Sequence, residues 1–204
     1  MDTVDWFSDH SSDEQLWQRF RDGNRAAFEQ IITLNYNSLF RFGTRFTKDV
    51  GLIEDCLHDL FIYLWEKRLS ISHTDSIRKY LFKSFRHKML LELQRVYRRG
   101  WVDEEEAAAL PSEQNFQDVL MHLESEQLAA YRVKQAIHQL PARQQEALYL
   151  RYFEGLDVDQ IAHIMSINRQ SVSNHLHKAL TFLRDHWDDS NLSLLILLVF
   201  SQTI

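Results

Sequence analysis

Between Arg78 and Arg99 the chain carries eight fixed cations, Arg78, Lys79, Lys83, Arg86, Lys88, Arg95, Arg98 and Arg99, against one carboxylate, Glu92. Tyr80, Phe82, Phe85, Tyr97 and Trp101 are interleaved with them. Residues of these types act together on single-stranded nucleic acid, where aromatic faces stack unpaired bases while lysine and arginine hold the backbone. A core stripe around Tyr80, Leu81 and Phe85 beneath a solvated basic face gives the same composition. Composition does not choose between the two.

A second chemistry-bearing stretch is DVDQIAHIMSINRQSVSNHLHKAL, Asp157 to Leu180. It fits a helix-turn-helix whose first helix runs from about Val158 to Met165, with Ile161 and Met165 inward and Ala162 where the helices approach closely. Ser166-Ile167-Asn168 makes the turn, and Asn168 is a good N-cap for a second helix with Val172, Leu176, Ala179, Leu180 and Leu183 inward. Arg169, Gln170, Ser173, Asn174, His177 and Lys178 are then outward, mainly at the end that enters the major groove in this motif. Two helices of an ordinary bundle corner produce the same spacing. The turn favours glycine, so Ser166 carries a modest cost if its φ is positive. With only Arg169 and Lys178 as fixed cations, the module predicts weak DNA binding when it acts alone.

Other chemistries find little support. No two of the ten histidines are three or four residues apart, so no helical metal pair exists. Cys56 sits inside a helix pattern beside no evident base, and no glycine-rich phosphate loop occurs. No catalytic residue, metal or cofactor is expected, and the chain reads as a non-enzyme.

The elements that position these residues are helices. Five glycines and two prolines in 204 residues, and no sustained strand-like alternation, predict an all-α protein. Ser12, with Gln15 three residues on, is a candidate N-cap for a first helix carrying Leu16, Trp17 and Phe20, which Gly23-Asn24 ends. A longer helix carries Phe28, Ile31, Ile32, Leu39, Phe42 and Phe46 on one face. Asp49 caps a third, with Ile53, Leu57, Leu60, Phe61, Leu64 and Trp65, and a fourth runs from about Ile77 to Arg99. Together they make a bundle over residues 12–100. From Asp103 to Glu126 stand eight carboxylates and no Lys or Arg, so 101–124 reads as a mostly extended acidic linker. The second helical domain spans 125–187, with a helix stopping at Pro141 and another over PARQQEALYLRYFEG that Gly155 ends. The net charge of −6 thus averages a basic helix with an acidic bridge, and local field decides where a phosphate backbone docks.

A tail, 188–204, contains the apolar run Leu192–Phe200, far short of the ~20 residues needed to cross a bilayer, so no membrane insertion is expected. The run is β-prone and is expected either to fold back on a domain or to dock on a regulator. One cysteine and an acidic start without a signal-peptide pattern predict a cytoplasmic protein.

In order and spacing, three segments resemble the RNA polymerase sigma factors of the sigma-70 family, extracytoplasmic-function group, over roughly Glu14 to Trp187. IEDCLHDLFIYLWEKR resembles the family's polymerase-binding helix, which implies Asp55, His58, Asp59, Phe61, Trp65 and Glu66 as polymerase-binding residues. IRKYLFKSFRHKMLLELQR resembles the segment that melts and reads the −10 element, implying Arg78, Lys79, Tyr80, Lys83, Arg86, His87, Lys88 and Arg95 as its DNA-binding residues. LPARQQEALYLRYFEGLDVDQIAHIMSINRQSVSNHLHKALTFLRD resembles the −35-reading domain, implying Arg169, Gln170, Ser173, Asn174, His177 and Lys178. Tyr80 stands where the family often has Trp, and His87 where it often has Asn, so no promoter sequence is transferred. The resemblance implies core RNA polymerase, promoter DNA (duplex at −35, single-stranded at −10) and an anti-sigma factor as partners. The competing expectation is a helix-turn-helix regulator that binds duplex operator DNA without polymerase, which leaves the basic, aromatic helix without a role.

Overall fold

The computed structural model describes residues 10–98 and 135–185, all of whose regular elements are helical. The chain divides into two compact units, 1–101 and 102–204. The expected linker over 101–124 and the tail at 188–204 lie outside the described residues, as does the start of the second domain near residue 125.

In the first unit α1 spans His10–Arg21, α2 Arg25–Gly43, α3 Val50–Lys67 and α4 Ile77–Arg98. Helix α1 begins two residues before the expected cap at Ser12. Its hold on the bundle comes from Leu16, Trp17 and Phe20, all buried, so packing rather than a local cap fixes it. Gly23 takes φ +88° at its end, and Asn24 then caps α2 by accepting from the Ala27 N–H at 3.0 Å, a cap that went unread in the sequence. Asp49 caps α3 as expected, accepting from the Leu52 N–H at 3.0 Å. Ser76 opens α4, its Oγ accepting from the Lys79 N–H at 3.2 Å.

Helix α2 ends at Gly43, so Phe46 belongs to the following turn and meets Phe42 edge-on at 5.1 Å. Ile31, Leu39 and Phe42 from α2, Ile53, Leu57, Leu60 and Leu64 from α3, and Leu81, Phe82, Phe85 and Met89 from α4 are all buried together. At ~1.5–3 kcal/mol for each fully buried large side chain, this core supplies the main drive for folding. Gly43 sits where α2, α3 and α4 crowd: a Cβ there would meet Ile53 Cγ2 at 2.7 Å.

Helix α1 is pinned to the entrance of α4. The Ile77 N–H donates to Asp13 Oδ2 at 3.2 Å, the Trp17 indole N–H to the Ser72 carbonyl at 3.2 Å, and His73 lies 3.2 Å from Glu14. A carboxylate at a helix N-terminus also meets the positive end of the helix dipole.

In the second unit residues 135–138 are helical, α5 spans Ala142–Leu148, α6 Val158–Met165 and α7 Arg169–Asp185. The single helix expected up to Gly155 is not uniform: α5 passes into a π turn over Tyr149–Phe153. Gly155, with φ +66°, closes it as expected. Buried Gln145 donates through Nε2 to the carbonyls of Leu140 (2.7 Å) and His138 (3.3 Å), satisfying groups exposed where the preceding helix ends. Helix α7 packs against both α5 and α6.

Candidate nucleic-acid interface

The helix-turn-helix forms as the sequence implies. Asp157 and Gln160 make a reciprocal capping box at the start of α6, with bonds of 2.8 and 3.0 Å. Ser166 adopts φ 56°, ψ 44°, and the Ile167 N–H closes the turn on the Ala162 carbonyl at 3.1 Å. Asn168 caps α7, its Oδ1 accepting from the Ser171 N–H at 2.7 Å. Ile161, Ala162, Met165, Val172, Ala179 and Leu183 are buried, and Leu176 and Leu180 are half-buried. All six candidate readers, Arg169, Gln170, Ser173, Asn174, His177 and Lys178, are exposed along α7. Gln170 donates to Asn174 at 3.2 Å, one turn apart, so these two amides act as a linked pair. Arg169 Nε lies 2.8 Å from Asp159 Oδ1 on α6.

Helix α4 distributes its eight candidates unevenly. Tyr80, Lys83 and His87 fall at helical spacing, Tyr80 and Lys83 half-buried and His87 exposed. The Tyr80 ring leans on Trp17 at 5.2 Å, and burial raises its hydroxyl pKa against the opposing effect of a hydrogen bond with Ser84. Lys79 pairs with Asp75 at 2.7 Å, and Arg95 with Glu92 at 2.6 Å. Lys88 turns toward α3 and pairs with Asp59 at 2.8 Å. The Arg78 guanidinium lies over the Phe82 ring at 5.7 Å. Arg86 differs from the other candidates in being only 6% exposed, beside buried Phe85 in the helix.

On α3, Asp55, His58, Asp59 and Glu66 share one exposed face. Phe61 does not join them. At 6% exposure it packs in the core, its ring 6.5 Å from Phe28. Trp65 is half-buried between Phe28, at 5.0 Å, and the Arg68 guanidinium, at 4.5 Å. Ile62 and Tyr63, 44% and 54% exposed, fill the gap on this acidic face instead. The signal was present in the sequence: Ile62 breaks the core period of its helix.

Comparison with known proteins bears on both units. The sequence pattern of sigma-70 region 4 matches residues 130–183, which include α5 to most of α7. The RNA polymerase sigma-H factor of Pseudomonas aeruginosa is 25% identical over 176 residues, covering 82% of this chain and 89% of that protein. The second unit thus carries the sigma-70 region 4 pattern, and a sigma factor is similar to the chain along most of its length. The fold of the chain is shared with two solved structures. CnrH, in complex with the cytosolic domain of CnrY, gives a TM-score of 0.59 at 19% identity, covering 88% of this chain and 99% of that one. The sigma factor RpoE, in complex with the anti-sigma factor NepR from Bartonella quintana, gives 0.57 at 20%, covering 78% and 95%. Among the described residues, no helix is long and apolar enough to cross a membrane.

Proposed function

We propose that the chain is an RNA polymerase sigma factor of the sigma-70 family, extracytoplasmic-function group, which directs core polymerase to promoters and initiates transcription there. Its two units divide the labour: the bundle, residues 12–100, docks on core polymerase and captures the opened −10 strand, and residues 125–187 read the −35 duplex. The observation that carries the second half is α7, whose six candidate readers are all exposed while Val172, Ala179 and Leu183 seat the helix. Arg169, Gln170, Ser173 and Asn174 meet base edges, and Lys178 and His177 lie further along toward phosphate.

For the bundle, the exposed α3 face of Asp55, His58, Asp59, Ile62 and Glu66 is the polymerase surface, an apolar centre ringed by acids that suits a basic, partly apolar partner. Half-buried Trp65 stiffens that face from behind. On α4, Tyr80, Lys83 and His87 form the centre of the strand-capturing surface, with Arg78, Lys79, Lys88 and Arg95 on its flanks. Bases leave the stack at a cost of a few kcal/mol, which stacking and backbone contacts offset. The Asp59–Lys88 pair bridges the two surfaces, so a partner that engages Asp59 frees Lys88 for phosphate. The acidic segment 101–124 tethers the two domains, and polymerase, which holds both, compensates for weak intrinsic DNA binding by raising effective concentration.

An anti-sigma factor is a further partner; RpoE, whose fold this chain shares, was solved with one. The apolar tail 188–204 is a candidate docking segment for such a regulator. The working compartment is the cytoplasm, where core polymerase acts.

The test is reconstitution with core polymerase, followed by start-site mapping and footprinting of the two promoter elements. Arg169→Ala and Asn174→Ala are expected to change base preference at −35 only, and Tyr80→Ala with Lys83→Ala to slow opening at −10. Charge reversal at Asp55 and Asp59 should weaken polymerase binding with the fold retained. Variants of α7 that leave every −35 preference intact overturn the assignment of that helix.

A further inference from the structure

We propose that Asp159 is a positioning residue for promoter discrimination: it holds the Arg169 guanidinium so that its two terminal nitrogens face the edge of a guanine in the −35 duplex. The inference rests on the reading of α7 given above.

Asp159 lies in the first turn of α6, and Arg169 is the first residue of α7. Their ion pair, 2.8 Å from Nε to Oδ1, therefore bridges the turn that the left-handed Ser166 closes. The capping box of α6 is made by Asp157 and Gln160, so Asp159 is not needed as a cap; its carboxylate meets the positive end of the α6 dipole and also reaches Arg169. The closest approach of the carboxylate is to Nε, in an ion pair between two exposed side chains. Nη1 and Nη2 of Arg169 have no hydrogen-bond partner among the described residues.

That distribution has a stereochemical meaning. A guanidinium is a rigid planar fork, so fixing Nε fixes the directions of the other donors. The two remaining nitrogens form an end-on pair, the geometry that meets the O6 and N7 acceptors of guanine in the major groove. The anchor stands on a separate helix across the turn, so the pair biases the direction of the fork before DNA arrives. The negative charge has a second effect. It offsets the cation of Arg169 and repels nearby phosphates, which discourages the side chain from binding backbone indiscriminately. Asp159 should thus weaken binding to all sequences while sharpening the choice of one.

These opposed effects give the test. Holoenzyme is assembled from core polymerase with the full chain, as wild type, Asp159→Asn, Arg169→Ala and the double variant. Binding to duplexes randomised at −35 is measured at several salt concentrations, with thermal unfolding of each free chain as a folding control. Arg169→Ala should lose preference for one G·C pair. Asp159→Asn should lose about tenfold of preference at the same pair. It should also bind mismatched duplexes more tightly, with a salt slope steeper by about one ion. The double variant should match Arg169→Ala. A merely structural role for Asp159 would lower binding to matched and mismatched duplexes together. The proposal is overturned if Asp159→Asn keeps its preference at that pair, or if it acts equally when residue 169 is alanine. Should Arg169→Ala itself leave every preference unchanged, both the proposal and the reading of α7 as base reader fall; a change with Arg169→Ala alone removes only the role of Asp159.

Discussion

Ser166 holds a left-handed backbone, φ 56°, at the centre of the helix-turn-helix, where glycine would sit without steric cost. The strain of ~1–2 kcal/mol for an L-residue there exceeds the ~0.5–1 kcal/mol entropic cost of glycine. Ser166→Gly should therefore stabilise the second unit by about 0.5–1 kcal/mol, read as a later transition in thermal unfolding. Cys56 makes a second prediction at this scale. Burial, the largest influence, pushes its thiol up to about 11, with Lys88 opposing. The neutral thiol is favoured in the folded chain, so its contribution to stability is complete below the ordinary thiol range and is lost as pH climbs from there through about 11. Native protein at pH 8 should resist iodoacetamide, followed by mass spectrometry, until it is unfolded; rapid labelling of the folded chain would contradict the burial. Both residues were partly legible beforehand. The turn and the buried thiol follow from local pattern, whereas the sign of φ at Ser166 depends on how α6 and α7 close.

At the scale of elements, Gly43 sets how closely three helices approach. Alanine there would gain about 1 kcal/mol of helix propensity. It would also force its Cβ against Ile53 Cγ2, at 2.7 Å, and Phe85 Cζ, at 3.2 Å. Overpacking of this kind costs ~1–3 kcal/mol, so Gly43→Ala should lower the melting midpoint of the first unit; an unchanged midpoint would mean that α2 can slide outward freely. Helix caps at Asp49 and Asn168 were legible because each acts within three residues. The Asp13–Ile77 bond was not, since it joins positions 64 residues apart. Nor was the π turn at Tyr149–Phe153, because one extra residue per turn hardly disturbs a short run of apolar side chains. The burial of Phe61 and Arg86 was not anticipated for a related reason. Residue type suggested contact, while the helical phase of each points into the bundle.

For the whole molecule the decisive quantity is the mismatch between net and local charge. In a chain of net charge −6, four cations of the proposed DNA-facing surfaces, Lys79, Lys88, Arg95 and Arg169, are each paired with a carboxylate. The free chain should therefore bind promoter duplex only in the ~1–100 μM range typical of non-specific contact at physiological salt. In holoenzyme, where effective concentrations reach about the millimolar range, binding should tighten by several orders of magnitude. Fluorescence anisotropy at fixed ionic strength compares the two; equal affinities would show that the chain needs no polymerase. Such dependence suits a protein whose regulation works by controlled access to the enzyme it serves.

The fastening of α1 to the entrance of α4 carries a practical corollary. A protease cutting just ahead of Arg25 would remove Asp13, Glu14 and Trp17, and with them every described tie to Ser72, His73 and Ile77. The remnant would keep α4 packed on α2 and α3 but lose the bonds that fix the entrance of that helix. On the proposed roles it should act as a decoy, competing for polymerase while opening promoters more slowly.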